Sequence, residues 1–158
     1  MKKVLLMLIV CNLFTLPVIS VKANNFNNDE NKQIYKNIEY VGNGIVEETI
    51  IEETVSMKST RTIKSGTKTI NYKHGSTILW SVSVTGTFSY NGKSSSCTNS
   101  SVKADSRNRD WKIVNKSSSK NGSTAIGKAT AKKYMLGVCI QTINETVKLT
   151  CSSTGRLS

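Results

Sequence analysis

Covalent chemistry in this chain would have to start from Cys97, Cys139 and Cys151, from the lone histidine His74, or from the carboxylates Asp105, Asp110 and Glu145 of its basic region. A nucleophilic cysteine or serine needs a base within hydrogen-bond reach and a third group to orient that base. His74 sits in the turn sequence KHGS, and no nucleophile-elbow motif occurs anywhere. Glycoside hydrolysis needs two carboxyls facing one bond, but Asp105 and Asp110 both fall in the polar run DSRNRD. Zinc ligation fails on ligand count and spacing, and no glycine-rich loop precedes a helix. These features predict a protein that is not an enzyme and carries no cofactor.

The cysteines read instead as structural. Cys139 and Cys151 lie on what reads as one strand, where twelve residues span roughly 40 Å, whereas a disulfide needs Cα atoms about 5.5–6 Å apart. Cys97 is therefore expected to pair with one of them. Cys151 is favoured because it shares the parity of Val147 and Leu149, which leaves Cys139 as a buried thiol.

Positive charge is the one feature with functional direction. Residues 57–158 hold 17 basic and three acidic residues, a net of +14. Arg107, Arg109, Lys112 and Lys116 cluster around Trp111, while Lys128 and Lys132 share a parity with Tyr134 and are joined by Lys133. Such surfaces attract anionic polymers through long-range attraction and counterion release. The expected partners are an anionic wall polymer, a glycan or a lipid surface. No motif points to specific nucleic-acid binding.

The elements that must position these residues read as strands. In Ile78–Tyr90 (ILWSVSVTGTFSY), Trp80, Val82, Val84, Gly86 and Phe88 fall on one parity and Ser/Thr on the other, the period-2 signature of a half-buried strand. Further strands are expected over Met57–Lys64, Thr67–Tyr72, Lys93–Ala104, Trp111–Asn115, Ser123–Met135 and Val138–Cys151, with turns at Ser65-Gly66, His74-Gly75, Asn91-Gly92, Asn121-Gly122 and Leu136-Gly137. The small residues Ala125, Gly127, Ala129 and Ala131 are expected to pack against Trp80, Phe88 or Trp111. The predicted fold class is all-β: a single antiparallel β-sandwich of about seven strands, immunoglobulin-like or related, with a closed barrel as the alternative.

Two segments precede that domain. Residues 1–23 read as a signal peptide: Lys2 and Lys3, an apolar stretch from Val4 to Leu16, then Val21-Lys22-Ala23 as a cleavage site. That stretch is too short to span a bilayer, so a secreted product, at most loosely held at the cell envelope, is expected. Residues 24–56 carry seven acidic and two basic residues, a net of −5. They read as a flexible, partly disordered acidic arm, with docking on the basic domain or later removal as alternatives. The expected division is thus 1–23, 24–56 and 57–158.

The segments LWSVSVTGTFSYNGKSSSCTNSSV, Trp111-Lys112-Ile113 and QTINETVKLTCSSTGRLS resemble a group of small exported β-domain proteins of low-GC Gram-positive bacteria, which share the pattern LWxVxVxGTFxYNG…C…W…VxLTCSxxGxLS. The resemblance covers roughly residues 65–158 and implies an exported β-domain, with no activity or site attached. Cys97 and Cys151 lie inside the shared pattern and Cys139 outside it. The expectation is a non-catalytic exported domain that associates electrostatically with anionic polymers. The alternative is a secreted toxin or bacteriocin-like effector acting on membranes, with the acidic arm as a pro-segment.

Overall fold

In the computed structural model, which describes residues 30–55 and 63–158, every regular element is a β-strand. The expected signal peptide, and most of the strand expected over Met57–Lys64, lie outside those residues. Eight strands are present: β1 Glu30–Gly42, β2 Ile45–Val55, β3 Ile63–His74, β4 Thr77–Tyr90, β5 Ser95–Ser106, β6 Trp111–Asn121, β7 Thr124–Met135 and β8 Val138–Thr150. All pairings are antiparallel, and they form two sheets, β1-β2-β3-β4-β5 and β6-β7-β8. Each strand pairs only with its neighbours in sequence, so the order is a meander in both sheets. The Greek-key order of an immunoglobulin domain is not the one adopted.

Two expectations need correction. Residues 30–55 are not a flexible arm: they form the β1–β2 hairpin, which continues the large sheet through β2–β3 pairs from Ile45↔His74 to Thr54↔Ser65. Ile45 and Ile51 of β2 are buried in the core. The second correction concerns Ser65-Gly66, which lies inside β3 and makes no turn. A Cβ on Gly66 would collide with Leu157 Cδ1 and stand 2.9 Å from the Glu52 carbonyl oxygen, so the glycine is there to let the C-terminal tail close over the sheet.

The core follows the alternation of β4. Trp80, Val82, Val84 and Phe88 are fully buried, facing Ala125, Ala129, Ala131, Val147 and Leu149 of the small sheet. Each such large apolar side chain contributes roughly 1.5–3 kcal/mol on burial. The small-residue face of β7 does pack closely: a Cβ on Gly127 would stand 3.0 Å from both Val84 Cβ and Val102 Cγ2. Tyr72 stacks on Trp80 with centroids 4.2 Å apart, and Trp111 meets the other indole at 6.1 Å. Along one side the edge strands β5 and β6 are bridged by Ser118 Oγ donating to Ser100 O and Lys120 Nζ donating to Thr98 O. On the other side the larger sheet overhangs the smaller one, leaving β1 and β2 beyond β8.

Candidate anionic-polymer interface

The outward face of the three-stranded sheet is set by register. Inward Ala125, Gly127, Ala129 and Ala131 force Ile126, Lys128, Thr130 and Lys132 outward, since successive side chains alternate. Lys112 of β6 lies directly opposite Lys132, Asn115 opposite Thr130, and Ser117 opposite Lys128. On β8, Thr142, Asn144, Thr146 and Lys148 oppose Lys132, Thr130, Lys128 and Ile126. The outward parity is therefore lysine set among Ser, Thr and Asn, with Ile126 and Tyr134 as its apolar members and no carboxylate. Lys128 and Lys132 stand about 13 Å apart along one strand. The Lys112 ammonium lies 5.2 Å from the centroid of the Tyr134 ring, a cation–π contact that positions it without neutralising it.

Like charges directly opposite on a sheet are destabilising, and Lys112 and Lys132 are such a pair. The ion pairs among the described residues join Lys36, Lys64, Lys73 and Lys103 to carboxylates, and none involves Lys112, Lys128, Lys132 or Lys148. Arg107, Arg109, Lys116 and Lys133 likewise have no carboxylate partner among those pairs.

The candidate cations do not all share this face. Lys112, Lys128 and Lys132 do. Lys116 opposes Ala129 and so has the inward parity, at the exposed β6 edge. Lys133 opposes Trp111 and lines a cavity of about 580 Å³ at one end of the sandwich, with His74, Asn108, Asp110 and Ile140. Arg107 and Arg109 sit in the β5–β6 loop at the same end. That loop is tied to β7 by the Tyr134 amide, which donates to the Asp110 carbonyl at 2.7 Å. Lys148, which its parity opposite to Val147 and Leu149 could have found, shares the outward parity and, on the edge strand β8, also borders the groove beneath β1 and β2.

Cys97 and Cys151 are buried free thiols on either side of one turn: the Cys97 amide donates to Gly122 O at 2.8 Å and the Cys151 amide to Ser123 O at 3.0 Å. Burial pushes both thiols up, and Cys97 adds repulsion at Cys151. Cys139 is exposed, contrary to the buried thiol expected, because β8 projects past the core near the β7–β8 turn.

Beneath the β1–β2 overhang runs an open groove of about 1190 Å³, lined by Tyr35, Ile51, Lys68, Val147 and Arg156 among others. Its carboxylates include Glu39, Glu47 and Glu145, so the acids of the folded part are not confined to Asp105, Asp110 and Glu145. The Tyr72 hydroxyl donates to Glu145 Oε2 at 2.5 Å, tying β3 to β8. Partial burial holds the Glu47 carboxyl above its ordinary value, and the charges of Glu145 and Glu39 push the same way against the Tyr72 hydrogen bond. His74 contributes nothing to this groove. No group of three or more His, Cys, Asp or Glu among the described residues could hold a metal ion.

No family model, curated protein or solved structure matches this chain. Any assignment of function therefore rests on its own surface.

Proposed function

We propose that this protein is an exported, non-catalytic β-sandwich that adheres electrostatically to an anionic wall polymer, glycan or lipid surface through the outer face of β6–β7–β8. The observation that carries this reading is the lysine set Lys112, Lys128 and Lys132 on an outward parity that holds no carboxylate, with Lys148 sharing that parity at the β8 edge, where it also borders the groove containing Glu145. A flat sheet face suits an extended partner, and unpaired ammonium groups keep their full attraction for it. The resemblance to small exported Gram-positive proteins and the leader-like residues 1–23 support the compartment. The nearness of Cys97 and Cys151 supports a disulfide between them once the chain meets an oxidising environment.

Cosedimentation with purified cell walls across a salt series tests the reading. Binding is expected to weaken steeply as salt rises. The Lys128→Glu/Lys148→Glu pair should weaken it at least about tenfold, at roughly 1 kcal/mol for each lysine lost near an anionic surface. Binding indifferent to salt, or a double variant that binds like the parent, would sink it.

A further inference from the structure

The two hairpins β1–β2 and β7–β8 turn at the same end of the sandwich, where Asn43 and Ile140 line one cavity. Their turns share a backbone: Asn43 and Gly44 have φ of 52° and 71°, Leu136 and Gly137 of 50° and 84°. Positive φ at both central residues is the type I′ geometry, which asparagine or glycine fills readily and a leucine does not. Leu136 is also 99% exposed, the extreme among the described large apolar side chains. A fully solvated leucine in a left-handed turn satisfies neither local conformation nor burial. Met135, Val138 and Ile140 beside it are exposed as well, making a projecting apolar tip. Nothing in the fold calls for this composition, since the Asn43-Gly44 turn closes the same kind of hairpin with a polar residue.

Cations surround the base of that tip. Lys132 and Lys133 precede it on β7, and Lys112 opposes Lys132. Arg107 and Arg109 lie in the loop held to Tyr134, whose one carboxylate is Asp110. The next acids from this end are Glu39 and Glu47, which oppose each other one residue pair further from the β1–β2 turn than Tyr40 and Val46, and then Glu48, which Lys36 and Lys73 already hold. An apolar apex ringed by Lys and Arg and by the amphipathic Tyr134 has the layering of a segment that enters a bilayer interface: apolar groups among the acyl chains, cations at anionic headgroups. A soluble polymer would reward the cations and leave Leu136 in water, and so does not account for it.

We infer that the β7–β8 hairpin tip, Met135 to Ile140, inserts shallowly into an anionic lipid surface, with Lys112, Lys132 and Lys133 at headgroup level. The inference goes beyond the adhesive reading above: the tip meets a bilayer, while Lys128 and Lys148 lie roughly 26–33 Å from Leu136 along the sheet and stay free for a polymer. It rests on that reading only for the sign of the charge.

The test uses the full chain after leader removal, vesicles of mixed phosphatidylglycerol and phosphatidylcholine, and vesicles of phosphatidylcholine alone. Cosedimentation is expected with the first and to be at least about tenfold weaker with the second. Leu136→Asn installs the residue that the Asn43 turn already uses, so the fold is expected to be retained; vesicle binding should fall about tenfold and binding to purified walls should not change. Leu136→Trp reports insertion directly, because Trp80 and Trp111 are buried: its emission should shift to the blue and be quenched by brominated lipid. Leu136→Asn binding vesicles like the parent, or Leu136→Trp emission unaltered by vesicles, overturns the inference. Loss of wall binding on Leu136→Asn with vesicle binding intact overturns it too, since the tip would then meet a polymer. Failure of the adhesive reading looks different: Lys128→Glu/Lys148→Glu would leave wall binding unchanged while Leu136→Asn still lowered vesicle binding.

Discussion

Glu47 and Glu48 are consecutive in β2 and face opposite sides of the same sheet. Glu47 lines the groove with Glu145 and Glu39, whereas Glu48 is 5% exposed on the outer face and is held by Lys36 at 2.9 Å, Lys73 at 3.4 Å and Asn71 Nδ2 at 3.1 Å. One carboxylate is crowded by its own kind and the other is caged by cations. Their protonation therefore shifts in opposite directions: Glu47 is raised by burial and by Glu145, and Glu48 is lowered, first by Lys36 and further by Asn71 and Lys73, against its burial.

The pH dependence of stability should separate them. Raised on folding, Glu47 contributes stability below its unfolded value near 4.5, and that contribution is lost as pH rises through the folded value. Glu48, depressed on folding, contributes above 4.5 and stops contributing as pH falls through its folded value. Glu47→Gln should accordingly raise Tm at pH 7 and change little at pH 3.5. Glu48→Gln should cost roughly 1.5–3 kcal/mol at pH 7, the range for hydrogen bonds to a charged group, and progressively less in acid. Thermal melts by circular dichroism between pH 3.5 and 8 check both, and a destabilised Glu47→Gln at pH 7 would contradict the assignment.

Cys97 and Cys151 are expected to be joined in protein recovered from an oxidising compartment, each thiol losing a hydrogen and a thiol–disulfide oxidoreductase's disulfide taking up the electrons. The bridge would contribute about 4 kcal/mol on the chain-entropy estimate for a loop of this length. Alkylation of the unfolded, unreduced protein followed by mass spectrometry should then label Cys139 alone. Labelling of all three would show that the buried pair stays reduced.

Removal of residues 24–56 should be far more damaging than trimming an arm. The cut deletes Ile45 and Ile51 from the core, each worth roughly 1.5–3 kcal/mol on burial, and turns β3 into a bare edge beside the buried Ile70 and Tyr72. A chain beginning at Met57 is expected to melt at least about 10 °C lower than one beginning at Asn24, or to aggregate through the exposed edge. Equal melting temperatures would return the hairpin to the status of an appendage.

Much of the architecture was legible where burial was one-sided. β4 alternates cleanly because one face meets the small sheet and the other meets water, and β7 alternates between Ala/Gly and Lys/Thr for the same reason. The β1–β2 hairpin was not legible, because polar contacts replace apolar patterning there. Glu47 and Glu48 put carboxylates on both faces, and the Lys36–Glu48–Lys73 chain does the stapling. β6 ran six residues past the end expected at Asn115, since an edge strand of Ser, Lys and Asn carries almost no hydrophobic signal. Lys128 and Lys132 were correctly grouped by parity, whereas Lys116 and Lys133 were misplaced by proximity in sequence alone. Leu136-Gly137 reads as an ordinary turn in the sequence, because the glycine supplies the positive φ that a turn needs and one leucine carries no periodic signal.

The strictly sequential strand order has a kinetic consequence. Every backbone ladder partner of a strand is the strand just before or just after it, so each sheet can grow one hairpin at a time. Only the collapse of β6–β8 onto β3–β5 demands distant contacts, and that step is the natural place for the folding barrier. Pro17 is the sole proline and precedes the described residues, so no slow prolyl isomerisation stands between a leader-free chain and its native state. Refolding should be a single phase, and its rate should answer to substitutions where Val84, Val102 and Gly127 bring the two sheets together.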